Sequence, residues 1–554
     1  MSLNLELDVL DAIFYESYVD ESDASEEDES DDLDEEVELL AEAIGMEEFD
    51  VNEGSKEVKL GISEDQARAN YENAGTEVLE KKDTITVEKH ADLIKPDIDE
   101  LLDEVLEELK LPYGVSDFQR VAVNTVCSLK HLILVSPTGS GKMNVPLLSA
   151  LVLRKRLNEK RGVTIVTQPL TSIMNQKMDN AICKVAVLSM TGSLKAKCSD
   201  DDDDTANLSC EVADVLDGEY PVILGHPESF DSPLGQYILR ELQRRERLIC
   251  VCIDEFHQGG EGHWSTFRPD MMRLSAGLRL YGIQNCPTVC MTATATDDEI
   301  KEVIRALGLR TDPEVLTASP VQAHIKFSVI RRPSNNFGLE GTVDKKGVKH
   351  PGLMDLLDRV YLRQYLTDLE EGKEPKRAII FCRGNGVLGA IYSHLMARTN
   401  GKYKDCRDSP FVMNHSCLLP PTEKVLAERA SEISLYLSSN KMLLGIDLAR
   451  IDMVVFLRPY NQLAALLQGG GRGGRRTENG RRRRVQVYQF YNSQDFTVQN
   501  KLMSPDMKRI CRSEECTKDL LREYFAGDNA PDDDIDEELR YCCHNCDMKI
   551  SETS

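Results

Sequence analysis

Two short stretches of this chain have the residue types and spacing for phosphoryl chemistry: SPTGSGK at 136–142 and CIDEFH at 252–257. In the first, Gly139 and Gly141 permit backbone turns that aim N–H groups at phosphate oxygens, and Lys142 offers a positive charge to the outer phosphates. Thr138, Ser140 and Met143 complete the expected nucleotide contacts. Met143 is anomalous, because a hydroxyl usually stands there to face magnesium, and a thioether is a poor ligand for a hard cation. In the second stretch, Asp254 is suited to holding Mg2+ and Glu255 to orienting and deprotonating a water, with His257 beside them. A third stretch, QGGGRGGRR at 468–476, supplies Gln468, Arg472 and Arg475, which could reach across a cleft to charge developing on a transferred phosphoryl group. The following RRRR at 481–484 keeps open the reading of this tract as a basic nucleic-acid-binding strip.

Such residues need rigid strand ends to hold them. HLILV at 131–135 leads into the first stretch and LICVCI at 248–253 into the second, while VTIVT (163–167), YPVIL (220–224) and PTVCMT (287–292) are apolar runs of the same kind. Helical stretches separate them, which argues for a parallel sheet wrapped by helices. RAIIF (377–381), FVMNH (411–415), MVVFL (453–457) and VQVYQF (485–490) begin the series again, so two consecutive α/β domains are expected. KCSDDDDDTANLSC at 197–210 reads as a solvated loop inserted in the first.

The chain has 554 residues, enough for about three or four domains, and a net charge of −29. That charge is concentrated: residues 1–110 hold 38 acidic against 8 basic residues, leaving 57 acidic and 58 basic in the remainder. The global acidity therefore does not exclude a polyanion partner for the body of the chain. Residues 20–38, DESDASEEDESDDLDEEVE, carry too few apolar side chains to offset ordering entropy and are expected to be disordered. Folded structure is expected from about 101, where LLDEVLEELKL has the pattern of an amphipathic helix. No apolar run approaches a membrane span, and the acidic N-terminus does not resemble a secretory signal. Sixteen cysteines are then expected to be buried thiols or metal ligands rather than a disulfide framework.

The order of these stretches resembles the RecQ family of superfamily-two helicases. TQPLTSIMNQ (167–176), TATAT (292–296), AIIFC (378–382), GID (445–447) and QGGGRGGR (468–475) are similar to successive helicase motifs. GHWSTFRPD (262–270), directly after DEFH, resembles the aromatic-rich loop by which RecQ enzymes couple DNA contact to ATP hydrolysis, although its residue order differs. YGVSDFQRVA (113–122) keeps Gln119 as the adenine-reading candidate. ECTKDLLREYFAG (515–527) with YCCHNCD (541–547) resembles the RecQ zinc-binding subdomain. Within it Cys516, Cys543 and Cys546 are three expected ligands; the fourth is read as Cys511, with Cys542 and His544 as alternatives.

The resemblance implies an α/β fold of two tandem RecA-like domains with a small C-terminal zinc-binding helical subdomain. The expected boundaries are 1–100 acidic and largely disordered, 101–318 the ATP-binding domain, 319–492 the second RecA-like domain and 493–554 the zinc subdomain. It further implies ATP, Mg2+ and structural Zn2+ as cofactors, single-stranded and junction DNA as partners, 3′–5′ unwinding, and a nuclear role in repair or recombination. DNA contacts are expected at His263, Trp264, Phe267 and Arg268; Trp264 is the one tryptophan of the chain, with a face on which a base can stack. Met143 motivates a rival expectation, an ATPase-impaired nucleic-acid-binding pseudo-helicase with a regulatory or scaffold role.

Overall fold

A computed structural model describes residues 61–78, 90–111, 114–168, 182–190, 192–197, 208–256, 286–309, 313–319, 321–332, 342–343, 349–382, 384–403, 407–415, 418–439, 442, 448, 450–474, 482–496, 503–526 and 542–553. Two sheets dominate it. The first runs Glu314–Thr317, Leu132–Val135, Thr288–Thr292, Leu248–Asp254, Val163–Thr167, Val222–Gly225, Val185–Leu188, Leu194–Lys197, Leu208–Ser209. Its first seven strands are parallel and the last two antiparallel. The second sheet is parallel throughout, in the order Ile325–Arg331, Val485–Tyr491, Met453–Phe456, Ala378–Phe381, Leu435–Ser438, Phe411–Asn414.

Alternation along the strands explains the layers. Leu132 and Leu134 enter one buried cluster while Ile133 and Val135 enter another on the opposite face. In the second sheet Ile379 and Phe381 face one cluster, Ala378 and Ile380 the other. Helices on both faces let these strands be apolar at every position, as parallel sheets require. The architecture is two tandem RecA-like α/β lobes, with short C-terminal helices at the edge strand Ile325–Arg331 of the second.

The folded body begins earlier than the expected boundary at 101. Helix Glu64–Asn73, N-capped by the Ser63 side chain, lays Ala67 and Tyr71 into the core of the second lobe beside Tyr361, Tyr365 and Leu366. Tyr71 donates to Asp368 at 2.7 Å, and Asn70 donates to the Tyr488 hydroxyl at 3.0 Å. Strand Glu77–Val78 then pairs antiparallel with Arg482–Arg483. Gly75 makes this turn at φ +73, where an added Cβ would lie 2.6 Å from Asp452 Oδ1. Helix Pro96–Leu109 buries Ile98, Leu102 and Val105 against the first lobe instead. The acidic run upstream hides this segment by composition, because Ile62, Ala67, Tyr71 and Ala74 are sparse but fully used.

Candidate nucleotide site and thiol centre

The phosphate-loop sequence connects strand Leu132–Val135 to helix Asn144–Arg156. Gly139 and Gly141 take φ of +80 and +81, values that a side chain would strain. The loop is tied at both ends. Ser136 N–H donates to Thr292 O at 2.9 Å, joining it to the TATAT turn, and Ser136 Oγ donates to Ser140 Oγ at 2.7 Å. Gln119 Nε2 donates to Gly141 O at 2.8 Å while its Oε1 accepts from Ser116 N at 2.9 Å. Gln119, expected to read adenine, thus has its amide engaged in bracing the loop from helix Asp117–Cys127.

Asp254 closes strand Leu248–Asp254 and is buried, and its Oδ1 accepts from the Glu255 N–H at 3.0 Å. Glu255 adopts φ +54, a conformation costly for a residue with a side chain, and this turn carries its carboxylate to 3.1 Å from Lys142 Nζ. Lysine and carboxylate, 113 positions apart in sequence, form a pair with little solvent around either. Met143 is half-buried and packs against the core of the first lobe.

The second lobe meets the loop directly. A Cβ on Gly471 would stand 3.2 Å from Thr138 Cβ. Arg472, on the same glycine-rich turn, is buried, and burial pushes its guanidinium down to about 10 while the Glu255 carboxylate pulls the other way. Gln468 is buried at the end of helix Leu463–Gly470. The expected residues Lys142, Asp254, Glu255 and Arg472 therefore come together at the facing edges of the lobes. His257, His263, Trp264, Phe267, Arg268 and Arg475 lie outside the described residues.

At the C-terminus, Cys516, Cys542, Cys543 and Cys546 bring their Sγ atoms within 4.8 Å of one another. The hydrogen-bonding sulfur pairs are spaced at 3.4, 3.5, 3.7 and 3.9 Å. Four thiolates at about 2.3 Å from a tetrahedral zinc would be about 3.8 Å apart, so the donor set fits the ion in type, number and spacing. Cys543 immediately precedes helix His544–Thr553 and Cys546 lies in its first turn, and Cys542 O accepts from Phe327 N at 3.3 Å, which fastens the centre to the edge strand of the second sheet. Cys511 is corrected by this geometry. It sits on helix Pro505–Arg512 in the apolar core with Met507 and Ile510 and is not part of the four-sulfur group; Cys542 takes its place. Burial pushes the Cys511 thiol well up, as for a small apolar core residue. Among the described residues no helix is long and apolar enough to cross a membrane.

Residues 116–303 match the DEAD/DEAH box helicase family model. Over 242 residues the chain is 28% identical to ATP-dependent helicase SGS1 of Saccharomyces cerevisiae, covering 43% of this chain and 15% of that one. It is 30% identical over 213 residues to ATP-dependent DNA helicase hus2/rqh1 of Schizosaccharomyces pombe, covering 37% and 15%. Over these stretches the chain is similar to the RecQ-like DNA helicases. A third relative, ATP-dependent DNA helicase Q5 of Rattus norvegicus, is 30% identical over 216 residues, 37% of this chain and 20% of the relative. The chain thus spans only a fifth or less of the length of these three. The DUF1998 helicase MrfA in its DNA-bound crystal structure shares the fold, with a TM-score of 0.56 at 16% identity over 82% of this chain and 54% of that one.

Proposed function

We propose that this chain is an ATP-dependent DNA helicase that moves 3′ to 5′ along one strand. The observation that supports this best is the convergence of Lys142, Glu255 and Asp254 from the first lobe with Arg472 from the second, at a seam where Gly471 touches Thr138. In this reading ATP lies on the loop amides and Lys142. Its arrival competes with the Lys142–Glu255 pair, freeing the Glu255 carboxylate to orient and accept a proton from the attacking water. Arg472 compensates charge on the departing phosphoryl group from across the seam. Magnesium, when bound, would be held through Asp254 and would neutralise charge on the phosphates. Hydrolysis removes the group that both lobes grip, so the seam loosens once per turnover. The relatives named as DNA helicases favour DNA over RNA, and contact of DNA with His263, Trp264, Phe267 and Arg268 belongs to the same proposal, as do Arg475 near the phosphates and a nuclear location. Zinc at Cys516, Cys542, Cys543 and Cys546 would be structural.

The pseudo-helicase reading retains one specific support, Met143. Met143 offers no hydroxyl to the metal, while Lys142 and the loop amides remain to hold the phosphates, and the proposal expects slow turnover rather than none. The test is ATP turnover with single-stranded DNA, with RNA and without either, alongside displacement of strands from 3′-tailed and 5′-tailed duplexes. DNA-stimulated hydrolysis with displacement from the 3′ tail is expected. Met143→Ser should raise magnesium-supported turnover, by up to about 100-fold if the metal is presently misplaced by about 1 Å. DNA binding with no hydrolysis by either form would establish the rival instead.

A further inference from the structure

The connection between the lobes is gripped at three points, and one grip comes from the thiol centre. Gln322 Nε2 donates to Thr138 O of the phosphate loop at 3.4 Å, and its Oε1 accepts from Arg482 of the second lobe. His324 lies buried beneath the glycine-rich turn: a Cβ on Gly474 would fall 2.4 Å from its ring. Lys518 Nζ donates to Gln322 O at 3.3 Å and to Ala323 O at 3.2 Å.

Lys518 stands in the first turn of helix Thr517–Ala526, two residues after Cys516, and only 4% of it is exposed. An ammonium is rarely buried without charge compensation. With zinc bound, the compensation would be beside it, because four thiolates around one zinc(II) ion leave about two net negative charges. The same contacts fix the lysine stem between the metal ligands and the linker carbonyls.

We propose that Lys518 is a positioning residue that transmits the state of the thiol centre, through Gln322, to the phosphate loop. Metal binding fixes the start of helix Thr517–Ala526, Lys518 fixes the carbonyls at 322–323, and the Gln322 amide holds Thr138 in register with Gly471. The nucleotide consequence of this coupling rests on the phosphate-loop reading above; the coupling itself does not.

The test uses the full zinc-loaded chain and two readouts, amide hydrogen exchange across 136–142 and affinity for a fluorescent ATP analogue, with zinc content measured in parallel. Lys518→Met with its zinc retained should exchange faster across the loop and bind the analogue about 5- to 10-fold more weakly, the loss of one buried hydrogen-bonding link. Gln322→Ala should reproduce both effects, and the double variant should be no worse than either single one. Chelating zinc should speed loop exchange in the unaltered chain but not in Gln322→Ala. Should Lys518→Met lose its zinc or misfold, the Gln322→Ala comparison decides alone. Unchanged loop exchange after complete zinc removal, or additive effects of the two substitutions, would overturn the coupling. Coupled exchange in a chain that binds no analogue would uphold it and overturn the nucleotide reading.

Discussion

The two lobes share a plan of parallel strands under helices, yet they are assembled from the chain in different ways. The first is nearly contiguous: its sheet runs from Leu132 to Thr317, and every side chain it brings to the seam follows one of its own strands. The second is completed by both ends of the described chain. Residues 61–78 fill one face through Tyr71 and Ile62, and the helices from Pro505 onward cover the opposite cluster through Met507, Leu521 and Cys543. A lobe built from its own stretch of chain can devote its loops to chemistry, whereas one assembled from distant segments depends on long-range contacts for its integrity. Loss of function without loss of stability is therefore expected of first-lobe substitutions, and the reverse of many in the second.

The largest effect that would sharpen this contrast is at Glu255. Glu255→Gln should lower ATP turnover by about 100- to 10,000-fold while leaving the melting temperature nearly unchanged, since the amide keeps the shape and can still accept from Lys142. Steady-state hydrolysis and calorimetry on the same sample check both halves. A comparable drop in melting temperature would break the contrast.

Next in size is the thiol centre. Cys542→Ser should reduce zinc from one per chain toward zero and lower stability by several kcal/mol, because metal binding free energy is folding free energy. Cys511→Ser should keep the metal and cost only about 1–3 kcal/mol, for a hydroxyl placed in an apolar core. Elemental analysis with denaturant titration separates them; zinc loss on Cys511→Ser would reinstate that residue as a ligand.

The smallest effect is at the N-terminal segment. Tyr71→Phe removes the 2.7 Å hydrogen bond to Asp368 and should destabilise the second lobe by about 1–2 kcal/mol, with ATP turnover unaffected at low temperature. The buried phenol, held up by burial and by Asp368, also marks this contact as one that stays protonated across the ordinary pH range.

What could be read in advance follows the same division. SPTGSGK and CIDEFH were legible because the chemistry depends on neighbours within a few residues and on strand ends that the apolar runs betray. The C-x-x-C spacing pointed to Cys543 and Cys546, and the family resemblance to Cys516. Spacing could not separate Cys511 from Cys542, because that choice depends on which face of helix Pro505–Arg512 is turned to the core. Nor could it reveal Gln119 as a brace, a role set by where Gly141 O lies in space rather than by sequence distance. The segment at 61–78 was obscured by its charged surroundings, since its partners Tyr488 and Arg483 are about 400 residues away.

The early attachment of residues 61–78 to the second lobe has a mechanical consequence. From there the chain crosses to the first lobe before Pro96–Leu109, and it crosses back between Thr317 and Ile325. Two bodies joined by one passage of chain part more freely than two bodies joined by two, so the second passage limits how far the lobes can separate. The lobes of this chain are thus tethered twice.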